Sequence, residues 1–173
     1  MNRAQILCFV FCVTLCSSMA GAGQDESLLE SRIAQALKDK EPCWKPIAVI
    51  ESGRVPLVPS EKRILVATYE CEQLGGAREG VNVSIYSVEN TEQATEWLRP
   101  IRSKQVAPGW RISSYHIGDE AYLAKYKAGE RFEIEFRKGR VVGKVAANDL
   151  ARVRQFAECI VAEVPVAARL SPN

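Results

Sequence analysis

The residues that could do chemistry in this chain are few, and they are scattered. His116, in Ser113-Ser114-Tyr115-His116, is the only histidine. With Asp119 or Glu120 as an orienting acid, and a serine or cysteine brought in from elsewhere as nucleophile, it could serve hydrolase-type chemistry. Such sets assemble in space, so sequence proximity alone favours a turn or surface histidine. Asp119 and Glu120 are adjacent, which in an extended strand sends their carboxylates to opposite faces. A general acid and base must converge on one bond. Gly118-Asp119 therefore reads first as a turn in which Asp119 caps backbone donors. A single histidine excludes multi-histidine metal centres, and the cysteine spacing offers no zinc half-site. Gly75-Gly76 is followed by Ala77-Arg78-Glu79-Gly80, which is neither a phosphate loop nor a dinucleotide fingerprint. No metal or cofactor is implied, and an enzyme is the secondary reading.

Binding chemistry has better raw material. Arg137-Lys138-Gly139-Arg140 is the densest basic patch, and Lys125, Lys127 and Arg131 lie nearby in sequence. It could meet an anionic partner such as a lipid headgroup or a wall polymer, although Glu130, Glu133 and Glu135 dilute it. Trp110, Tyr115, Tyr122 and Tyr126 fall in the least regular part of the chain, where amphipathic aromatics make plausible contact residues. A thiol-dependent function would rest on Cys159 and would need a depressed thiol pKa.

The compartment narrows these options. Arg3 precedes the apolar run 6–15, and small residues follow through Ala20-Gly21-Ala22. That is the order of a cleavable secretory leader processed near Ala22. An uncleaved anchor is the alternative, because the uncharged span 4–23 is long enough to cross a bilayer. Residues 1–23 are thus read as a signal peptide, 24–165 as one α+β domain of ordinary size and 166–173 as a flexible tail. The expected location is periplasmic or secreted, with membrane contact only through an uncleaved leader. Formal charge is +2 and drops by one with Arg3, which gives no electrostatic case for nucleic acid.

The leader also carries Cys8, Cys12 and Cys16, so Cys43, Cys71 and Cys159 remain. Cys43 pairs with Cys71 in the first reading and with Cys159 in the competing one. Either way one thiol is left over.

Hydrophobic periodicity supplies the elements that must position these groups. Residues 27–40 read as a helix with Leu29, Ile33, Ala36 and Leu37 on one face, ended by Pro42. A short edge strand lies near 47–50, among prolines. Strands follow at 63–71 and 81–88, with Gly75-Gly76 and Gly80 as the turn. Asn90 or Thr91 caps a second helix bearing Ala94, Trp97, Leu98 and Ile101. A weaker strand pattern covers 110–117 and leads into the aromatic, charged stretch 118–127.

The hairpin 131–146 is read with Lys138-Gly139 as its two-residue turn. Phe136 then faces Val141, Phe132 faces Val145 and Glu133 faces Lys144. Asp149 caps a last helix to Val164, whose stripe places Cys159 on the exposed side or a flank. This order predicts an α+β fold, a mainly antiparallel sheet with helices packed on one face as a two-layer sandwich.

Ile117-Gly118-Asp119-Glu120-Ala121-Tyr122, then Phe136-Arg137-Lys138-Gly139-Arg140-Val141-Val142 and a closing helix with Phe156-Ala157-Glu158-Cys159-Ile160, resembles a layout of exported bacterial α+β domains. Over 81–164 the chain is similar to uncharacterised secreted proteins and envelope sensor-like domains, and more distantly to PsbP-like folds. The resemblance implies a fold and a compartment and carries over no catalytic residue. The expectation is an exported, non-enzymatic domain that binds a protein or small ligand.

Overall fold

The computed structural model describes residues 21–48, 58, 60–72, 78–103, 108–126 and 130–165. Most of the expected leader and all of the expected tail lie outside these residues, as does the Gly75-Gly76 turn. Along the chain run α1 (Gly21–Lys40), β1 (Lys45–Ala48), β2 (Lys62–Glu72), β3 (Arg78–Ser87), α2 (Thr91–Trp97), α3 (Arg99–Ser103), β4 (Trp110–Tyr115), β5 (Glu120–Tyr126), β6 (Arg131–Lys138), β7 (Val141–Ala147) and α4 (Leu150–Glu163). The strands form one antiparallel seven-stranded sheet in the order β1-β2-β3-β7-β6-β5-β4. It is an α+β fold, with two local meanders joined where β3 pairs with β7.

The two long helices lie side by side on one face, here face A. Leu29, Ile33 and Leu37 of α1 and Val153, Phe156, Ala157 and Ile160 of α4 share a core with Val83, Ile85, Ile134, Phe136 and Val145 of the sheet. The chain must also travel from β3 in the middle of the sheet to β4 at its far edge. That crossover passes over the opposite face, B, and covers it. Ala94, Trp97, Leu98 and Ile101 of α2 and α3 pack there with Val66, Tyr86, Ala124 and Val142. Asn90 caps α2 by accepting from the Gln93 amide at 2.9 Å, and Asp149 caps α4 by accepting from Ala151 at 2.6 Å.

Several boundaries move from expectation. Helix α1 begins at Gly21 rather than residue 27. Gly80 lies within β3, opposite Glu70, not in the preceding turn. The hairpin turn is Gly139-Arg140, one residue later than expected. Phe136 therefore faces Gly143, Ile134 faces Val145 and Glu135 faces Lys144. Glu133 lies opposite Ala146 instead, and Arg131 reaches its carboxylate at 3.3 Å. The faces are unchanged, because a paired slip of this kind preserves which side chains point inward.

Cys43 and Cys71 stand at disulfide distance, Cα to Cα 5.3 Å, and the bridge spans 28 positions of sequence. The competing partner Cys159 is free. Loop-closure entropy alone assigns such a bridge about 3.5 kcal/mol. The Cys43→Ala/Cys71→Ala double variant is expected to lose about that much, read as a lower urea midpoint with a steeper slope, because the unfolded chain freed of the crosslink exposes more surface.

Candidate functional site

A groove of about 680 Å³ opens at one end of face A, within the usual range for ligand pockets. Sheet register explains its base. Lys62 pairs with Ser87, Ser87 with Val141 and Val141 with Lys138, so these four residues form one cross-strand row over β2, β3, β7 and β6. Directly paired residues share a face. Two lysines therefore flank a serine and a valine at the mouth. The early turns of α1, the end of α4 and the β6–β7 turn wall the row in, with Leu29, Ile64, Val88 and Val164 as apolar lining. Leu28 and Leu29 are neighbours on α1, about 100° apart around the helix axis, so they point in different directions. Leu29 enters the core, and Leu28 stays 59% exposed at the groove.

Charge on this rim is asymmetric. Arg32, Lys62, Lys138 and Arg140 line the groove against Glu26 and Glu89. Arg32 is engaged with Glu163 at 3.1 Å, tying α1 to the end of α4. Lys138 Nζ donates to the Val161 carbonyl at 2.9 Å, a cation on the last turn of α4 where the helix dipole favours it. An ammonium has three donors, so this bond leaves capacity toward the groove. Arg140 Nη1 donates to the Glu89 carbonyl at 3.4 Å. Over the lysine row, Ser87 Oγ donates to Glu26 Oε1 at 2.6 Å.

The expected basic patch is thus divided. Lys138 and Arg140 line the groove, whereas Arg137 alternates to face B. Its guanidinium meets Glu120 at 3.1 Å and Asp119 at 3.4 Å.

The same contacts account for Gly118-Asp119-Glu120. Asp119 donates its amide to the Arg137 carbonyl at 2.9 Å and accepts from the Gly139 amide at 2.7 Å. Glu120 also accepts from the Tyr122 hydroxyl at 2.9 Å. This segment is a clasp on the hairpin tip. His116 is exposed beside it, and no hydrogen bond among the described residues joins it to Asp119 or Glu120. The arrangement gives these carboxylates to backbone and arginine, not to an imidazole.

The four aromatics do not converge. Trp110 and Tyr126 pair across β4 and β5 with ring centroids 5.2 Å apart, and Tyr122 packs at the same face B. Tyr115 points to face A, where its hydroxyl donates to Glu158 at 2.7 Å and Arg154 lies over its ring at 5.7 Å. Burial first, and Glu158 second, raise its hydroxyl above the usual 10.0. None of the four lines the groove.

Cys159 is buried, not exposed. A helical projection measured from the sheet misplaces it, because α4 packs against α1 as well as the sheet and so buries a wider stripe. Burial, opposed by Lys40 and reinforced by Glu163, pushes its thiol above the usual 9.0. A raised pKa and a closed environment disfavour the thiolate that reactivity needs. Alkylation of the native chain by iodoacetamide is expected to leave Cys159 unmodified over a time that fully labels the urea-unfolded chain. Holding the thiol neutral adds stability that is fully present below about pH 9 and declines above it, because the unfolded chain then binds fewer protons. The Cys159→Ala variant should lose that alkaline decline.

Sequence reasoning missed Glu26, Arg32, Lys62 and Ser87, which come from three separate segments. Exposed Leu28 beside Leu29 was the one local hint. Comparison of the chain with protein families, with curated proteins and with solved structures finds no match.

Proposed function

We propose that this protein is an exported domain that works in the cell envelope or the extracellular space by binding a small ligand, without transforming it. The observation that carries this reading is the groove on face A, concave, part apolar and rimmed by cations. Concave sites with a few convergent polar groups are where proteins hold small molecules. Within the groove Ser87 donates its hydroxyl to the Glu26 carboxylate, and no histidine stands among the lining residues to complete a catalytic set.

The compartment is supported by the leader-like order of residues 1–23 and by a cysteine pair at disulfide distance, which suits oxidising surroundings. Among the described residues no helix is long and apolar enough to cross a membrane. The resemblance to exported envelope domains points the same way.

Expression of the full chain in a bacterial host, followed by fractionation and intact-mass measurement, tests the reading. The expected species is periplasmic or secreted, starts near Gly23 and gains no iodoacetamide adduct on Cys43 or Cys71 before reduction. A cytoplasmic chain of full mass with all thiols alkylated would overturn export. Groove occupancy is tested by isothermal titration with small ligands.

A further inference from the structure

We infer that the groove accepts a single-chain amphiphile with an anionic head, such as a fatty carboxylate or an alkyl phosphate, and that Glu26 is the internal anion the ligand displaces. The inference rests on the ligand-binding reading above and specifies its chemistry.

The sheet dictates the geometry of the head. Lys62 and Lys138 sit three strand spacings apart on one cross-strand row, roughly 14 Å between backbones. Ser87 and Val141 lie between them. Two flexible lysine stems can close on one headgroup over that centre, and Ser87 supplies a hydroxyl donor beneath it. The chain already places a carboxylate at this point, since Glu26 accepts from Ser87 Oγ at 2.6 Å. A carboxylate or phosphate oxygen asks for the same partners, so Glu26 marks the anion position and competes for it.

The body of the ligand follows from the walls. Leu29, Ile64, Val88 and Val164 line the groove, and Leu28 extends the apolar surface to its rim. A free phosphate or a short carboxylate would use the lysines and leave the exposed Leu28 side chain uncovered. An acidic peptide would bring several charges to a rim that also holds Glu26 and Glu89. One anionic group on an apolar chain matches both features.

Isothermal titration of the oxidised protein at low salt tests this, with ligands kept below their micelle concentrations. Dodecanoate and monododecyl phosphate are expected to bind one to one. Monododecanoylglycerol, which has the chain without the charge, should bind at least about tenfold more weakly, and acetate and inorganic phosphate should give no saturable heat. The Lys62→Gln change should weaken the anionic amphiphiles about fivefold. The Glu26→Gln change should tighten them by a similar factor. Arg99→Gln, at an exposed position that starts α3 and is not part of the groove, should leave them unchanged. Because Lys138 also holds the end of α4, Lys138→Gln is to be compared only after its thermal unfolding matches the parent.

Equal binding of the charged and uncharged chains, indifferent to Lys62→Gln, would overturn the anionic head while leaving a ligand groove standing. Binding of an oligoglutamate peptide but of no amphiphile, lost in Lys62→Gln, would replace the inference with an acidic-peptide site. Absence of binding by every probe would overturn the amphiphile and remove the groove as support for a binding function.

Discussion

Phe156→Ala is expected to destabilise the folded chain by about 3–5 kcal/mol, the usual cost of emptying a buried aromatic site. Phe156 is fully buried in α4. Its ring meets Trp44 edge-on at 5.3 Å and Tyr69 at 5.7 Å, contacts worth about 0.5–1.5 kcal/mol each beyond area. Trp44 is also covered by the Arg152 guanidinium at 5.7 Å and sits next to bridged Cys43. One side chain thus joins α4 to both edges of the cysteine-closed loop. Phe156→Leu keeps most of the volume and should cost less than half as much. Urea unfolding of the two variants distinguishes them, and equal small losses would show that the neighbouring rings collapse into the space.

Gly118→Ala is expected to cost about 3 kcal/mol, far beyond the norm for a surface turn. Its φ is +62°, and a Cβ there would lie 2.4 Å from the Arg137 carbonyl oxygen. Left-handed backbone costs an L-residue about 1–2 kcal/mol. The clash adds to this because the opposing atom is backbone and cannot swing away, and relieving it breaks the bond from the Asp119 amide to that same carbonyl. Asp119→Ala removes the side-chain acceptor for the Gly139 amide and a partly exposed contact with Arg137, and should cost about 1 kcal/mol. The Gly139 amide reports both changes through faster hydrogen exchange. The same loosening would disturb Lys138 and Arg140, so Gly118→Ala should also weaken groove binding at temperatures where the chain remains folded.

The sheet order was partly legible because alternation in 131–138 and 141–147 is strong, yet the hairpin register was not. Both candidate registers keep Phe132, Ile134, Phe136 and Val145 inside, so hydrophobicity cannot separate them. Two glycines decide. Gly139 takes its positive φ as the first residue of the turn, where two-residue hairpins accept glycine. Gly143 faces Phe136, and a Cβ there would stand 2.6 Å from the ring and 2.7 Å from Ile85 Cδ1. The bulky ring needs the empty position opposite it.

Caps and helix faces were readable for a similar reason, since they are local: Asn90 and Asp149 announce their helices. Cys159 was misplaced because its burial depends on α1, more than a hundred residues earlier in the chain. The groove was illegible for the same cause. Its lining comes from segments around 26–32, 60–64, 87–89, 138–141 and 164–165, each ordinary alone. Of the basic patch, only alternation told Arg137 from Lys138, and it was the clasp formed with Asp119 that gave the difference a meaning.

The pairing of β3 with β7 bears on when the protein becomes competent. Each meander closes through neighbours in sequence, but Ser87 meets Val141 only once the second meander is complete. Distant pairings of this kind form late because the intervening loop must be closed first. The lysine row is divided across that seam, Lys62 on one side and Lys138 on the other. Before that seam closes the two lysines stand on separate halves, so the groove proposed as a binding site is assembled only in the finished molecule.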